Sequence, residues 1–75
     1  MIDQLPINLI KEGQWIEIKM IRSRLLVETD YTQMPDSPLD ADKKAEFAAY
    51  RQLLRDLPQS YSDPLDVIWP KKPTI

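Results

Sequence analysis

The chain reads as mainly α: a small helical hairpin of about residues 17–29 and 40–57, with an extended or β N-terminal segment and an extended C-terminal tail folding back. Three observations predict it. Phe47, Tyr50, Leu54 and Leu57 recur at i, i+3, i+7 and i+10, with Leu53 beside them, which makes one apolar helix face. Ile18, Ile21 and Leu25 recur at i, i+3 and i+7 and make a second, with Leu26 flanking it. Between the two stripes, TDYTQMPDSPLD places Met34 and Ser37 before prolines, where helical backbone is disfavoured.

Residues 1–16 form the leader. Leu5, Ile7 and Leu9 alternate with Pro6 and Asn8, and Ile16, Ile18 and Met20 alternate with Glu17 and Lys19. The only glycine, Gly13, lies between the two runs. Period-two alternation on either side of a Gly turn predicts a β-hairpin or two extended segments, with the Pro6 run at an edge. The alternative is a leader without regular structure that lies over the helices.

The first helix follows, over about residues 17–29. Arg22 falls inside its apolar stripe and must lead its guanidinium outward along its stem. Met20 and Val27 lie roughly opposite that stripe, and a helix with a second apolar edge commonly buries it against something outside the pair. Asp36 and Ser37 can bond their own backbone in the turn. Asp40 is the expected N-cap of the second helix, with Asp42 in the first turn, where the helix dipole favours negative charge. Ser37 with Pro38 is the rival start. Arg51 and Arg55 sit towards the C-terminal side, and Pro58 is expected to end the run. In the tail, about residues 59–75, a polar loop precedes Leu65-Asp66-Val67-Ile68-Trp69-Pro70, so Trp69 and Pro70 are expected to fold back on the helices.

The 75 residues make a single small domain whose core is marginal by itself. With no Cys there is no disulfide, and a reducing compartment fits; with no His the commonest zinc ligand and general base are missing. Self-association or another protein is the remaining source of stability. Net charge is −2, and the basic residues Lys19, Arg22, Arg24, Lys71 and Lys72 do not assemble the stripe that nucleic acid requires. No run approaches the roughly 20 apolar residues that span a bilayer, and the start lacks a signal peptide's cationic region. Neither nucleic acid nor membrane is therefore an expected partner. The carboxylates read as caps, turn residues and surface charges, the serines lack an activating His, and no glycine-rich phosphate loop or calcium pattern is present. No enzyme, metal or cofactor is expected. Trp and Tyr dominate interface hot spots, which makes Trp15, Tyr31 and Trp69 candidate contact residues.

The run from Ile21 to Pro73 resembles the phage tail fibre assembly chaperone family. The resemblance rests on Arg24-Leu25-Leu26, Thr29-Asp30-Tyr31-Thr32-Gln33, Pro35-Asp36, Tyr50-Arg51, Leu54-Arg55 and Trp69-Pro70 with Pro73, at matching spacing. Tyr31 and Phe47 stand where the family often has Trp, and keep aromatic bulk. The resemblance implies a non-enzymatic role, assisting a trimeric tail fibre protein of a phage or prophage to fold and assemble in the host bacterial cytoplasm. A small structural or adaptor protein retained in the tail or fibre tip is the alternative, and a regulatory helical hairpin binding a host protein or DNA is a third reading. Within the resembling blocks, Tyr31, Gln33, Arg51, Trp69 and Pro70 become partner-binding candidates. Unassembled fibre chains expose strand edges, so Leu5, Ile7 and Leu9 are expected to bind one by strand addition.

Overall fold

The computed structural model describes residues 7–74, and the side chains of Ile7 and Asn8 lie outside that description. Two long helices form an antiparallel hairpin, α1 over Ile7–Glu28 and α2 over Ala41–Ser60. Short 3-10 helices follow each of them, at Asp30–Gln33 and Pro64–Asp66. From Val67 the tail is extended and returns along α2, bringing Trp69 against Phe47, Tyr50 and Leu54. That tail docking is as the sequence predicts.

Phe47, Tyr50 and Leu54 form the core, with Leu25, Leu26, Leu39 and Trp69 packed on it. Ile18 and Ile21 are half-buried, as are Leu25 and Leu26 on the same face. Asp40 caps α2 as expected: its carboxylate accepts from the Lys43 N–H at 2.8 Å. At the far end, Pro64 is buried and its short helix rests on α1. Asp63 caps that helix through the Leu65 N–H at 3.0 Å and meets Lys11 at 3.5 Å, which ties the first half of α1 to the chain leaving α2.

Two expectations are corrected. Residues 7–16 are helical, not an extended or β leader, and the first helix begins ten residues earlier than about 17. Residues two apart on a helix are about 200° apart. Ile16, Ile18 and Met20 therefore alternate between two opposite helix faces, which imitates the alternation of a strand. Gly13 has no positive φ and simply continues the helix. The expectation for Leu5 lies outside the described residues. The second correction concerns Pro58, which lies inside α2. The ring removes one N–H, the donor that Leu54 O would take, but a final turn continues to Ser60, whose hydroxyl donates to Asp56 O at 3.0 Å.

Candidate functional site

The two faces of α1 have different fates. Ile18, Ile21, Arg22, Leu25 and Leu26 face the rest of the hairpin and are at least half-buried. On the opposite side Leu9, Ile16, Met20 and Val27 lie within about 20° of one line along the helix, at 100° per residue. They are 47, 60, 68 and 70% exposed, so the apolar stripe is solvent-facing over most of α1. Gly13 and Ser23 flank that line, about 40° to either side, and leave it low: a Cβ on Gly13 would meet open space. Ile16, Lys19, Met20 and Ser23 line a shallow depression of about 430 Å³. Scattered exposed apolar residues are ordinary, but a collinear row on one helix is a ready-made groove filler or helix partner.

The end of α1 is held by a polar junction. The Arg51 side chain is 9% exposed. Its guanidinium donates to Leu26 O at 2.6 Å, to Thr29 Oγ1 at 2.8 Å and to an Asp30 carboxylate oxygen at 2.6 Å. Thr29 is fully buried, and its hydroxyl donates to Leu25 O at 2.7 Å. Thr32, also buried, donates to Thr29 O at 2.6 Å. The planar donor fork of arginine satisfies a helix-end carbonyl, a hydroxyl and a carboxylate together, which a lysine ammonium could not do in one plane. Arg22 makes a smaller version of this link, crossing from α1 to donate to Arg55 O at 3.1 Å.

The candidates read from the sequence are dispersed over this framework. Leu9 falls on the outer stripe, though on a helix and not a strand. Ile7 begins α1, which removes the strand-addition expectation for it and for Leu9. Tyr31, 41% exposed, projects from the 3-10 turn just beyond Val27, and the neighbouring Met34 is 50% exposed. Gln33 holds the hairpin closed: its Nε2 donates to Lys44 O at 3.0 Å and to Thr32 Oγ1 at 3.1 Å. The guanidinium of Arg51 is engaged inside the hairpin. Trp15, Trp69 and Pro70 are half-buried. The sequence pattern places Met20 and Val27 on an unpaired face, but an extended leader does not continue that face to Ile16 and Leu9. Helical spacing applied back to residue 9 would have found them.

The perturbed ionisable groups belong to the fold. Asp63 is held below the usual carboxylate range, chiefly by the Leu65 N–H, with Lys11 adding to it against some desolvation. Burial pushes the Tyr50 phenol up, and the charge of Glu28 adds to the shift. Among the described residues no three His, Cys, Asp or Glu side chains gather as a metal site, and no helix is long and apolar enough to cross a membrane.

Residues 15–74 match the family model described as phage tail assembly chaperone protein. No curated protein and no solved structure matches the chain. The matched span takes in the outer stripe from Ile16 onward, the Arg51 junction, the whole of α2 and the returning tail. With four-fifths of its length inside that match, the chain belongs to the phage tail assembly chaperone family.

Proposed function

We propose that the chain acts on a tail fibre protein in the host cytoplasm, without covalent chemistry, by covering apolar surface that the fibre chain exposes before it trimerises. The observation that carries the reading is the solvent-facing row Leu9, Ile16, Met20 and Val27 on α1. Fibre chains awaiting their partners carry unpaired edges and apolar surface that aggregate. An amphipathic helix laid into such surface shields it reversibly and leaves when the trimer closes. The hairpin supports this role, because the Arg51 junction and the docked tail hold α1 from its other side and leave the outer face free.

Co-expression with the tail fibre protein tests this. Ile16→Asp combined with Met20→Asp places charge on the outer row without touching the core, so helicity is expected to persist while soluble fibre trimer is lost. Undiminished trimer yield with the double variant would defeat the reading. So would sedimentation showing that a second copy of the chain permanently covers the row. Recovery of the chain at fixed stoichiometry in purified particles would instead favour a retained tail component.

A further inference from the structure

The tail and α2 enclose a second surface, independent of the outer face of α1. A groove of about 440 Å³ runs between them, lined by Lys43, Glu46, Ala49, Lys71, Lys72, Pro73 and Thr74. Its sides differ in character. Ala49 and Pro73 are apolar, while Lys43, Lys71 and Lys72 bring three ammonium groups to a chain whose net charge is −2. Glu46 is the only carboxylate in the lining, and Lys43 takes it at 3.0 Å. Among the described residues Lys71 and Lys72 have no ion-pair partner, and the lining sets three ammonium groups against one carboxylate.

The backbone beside the groove is also unpaired. From Ile68 to Thr74 the tail has no regular structure, with Pro70 and Pro73 restricting it to extended conformations. The N–H groups of Lys71, Lys72 and Thr74 meet no backbone acceptor among the described residues. An extended segment with free N–H groups, flanked by cations and an apolar floor, is complementary to another extended segment that is acidic.

We propose that this groove binds an extended acidic peptide segment of a protein partner, which lies alongside residues 70–74 with its carboxylates against Lys71 and Lys72 and small apolar side chains over Ala49 and Pro73. Main-chain bonds to the tail would give direction, and the lysines would select acidic over neutral sequences. The tail's return to α2 through Trp69 builds the groove, so binding depends on that docking.

The test is an amide-resolved NMR titration of the full chain with an acetylated peptide of alternating Asp and Val. The same peptide with Asn for Asp and a single-stranded oligonucleotide serve as comparisons. Expected are shifts centred on Lys71, Lys72, Thr74 and Ala49 that weaken with salt, and about tenfold weaker binding in Lys71→Gln with Lys72→Gln, whose lost charges are solvent-facing. The Trp69 emission of that variant is expected to be unchanged. If it changes, Lys71→Arg with Lys72→Arg must restore both docking and binding. An absence of shifts, equal binding of the Asn peptide, or equal binding of the oligonucleotide at these residues would each overturn the proposal.

Discussion

Arg51 is the residue on which most of the hairpin's polar geometry converges. It sits in the core-facing stripe of α2, beside Tyr50 and between Phe47 and Leu54 in register, where an arginine is tolerated only with partners. Leu26 O, Thr29 Oγ1 and the Asp30 carboxylate are those partners. Arg51→Ala is expected to lower unfolding free energy by about 1.5–3 kcal/mol, the scale of hydrogen bonds to a charged group, as read from urea melts. A change within the noise of the melt would show that water replaces the guanidinium without cost. This role is half-legible in the sequence. The Thr29-Asp30 and Tyr50-Arg51 blocks are visible as matched features, but their contact is not local, and from spacing alone Arg51 reads as a charge complementing the helix dipole.

At the scale of the element, α1 is the informative case. The face of α2 is legible because its apolar residues lie on one side, Asp40 announces its start and alanines fill the rest. The first half of α1 is not legible, because a helix with apolar residues on two opposite faces shows the two-residue period of a strand, and Gly13 sits where a turn would. Gly13→Ala separates the two conformations. In the helix observed, with open space around the site and no positive φ, it is expected to stabilise the protein by about 0.5–1 kcal/mol and raise helical circular dichroism. In a tight hairpin turn the same change would destabilise. The same half of α1 gives a pH signature through its contact with Asp63. The carboxyl of Asp63 ionises more easily in the folded chain than in the unfolded one, so its contribution is present above about pH 4 and is lost as pH falls through the depressed folded value. Asp63→Asn is expected to flatten the acid limb of a stability profile. Tyr50 acts at the other limb. Its raised folded value means its contribution is complete below about pH 10 and fades as the pH rises through that value. Thermal melts of wild type and Asp63→Asn between acid and neutral pH check the first effect, and alkaline melts of wild type and Tyr50→Phe check the second.

For the whole molecule, the architecture divides the chain into a braced side and a free side. The core of Phe47, Tyr50 and Leu54, the junction at Arg51 and the returning tail with Trp69 all lie on the side of α1 that faces α2. The other side of α1 carries Leu9, Ile16, Met20 and Val27 into solvent. In a chain this short, leaving that much apolar surface uncovered is costly for solubility, and a partner's surface is what makes the arrangement useful. Membership of the phage tail assembly chaperone family supplies the setting, and the outer face of α1 is where the proposed fibre contact lies. The most direct measurement is site-specific photo-crosslinking in cells expressing the tail fibre protein. The photoreactive group is placed in turn at Met20, on the free side, and at the exposed Gln52 of α2 as a control. Expected are a crosslink to the fibre chain from position 20 that disappears as trimer accumulates, and none from position 52. Crosslinks to the fibre from position 52 with none from position 20 would contradict the proposed contact.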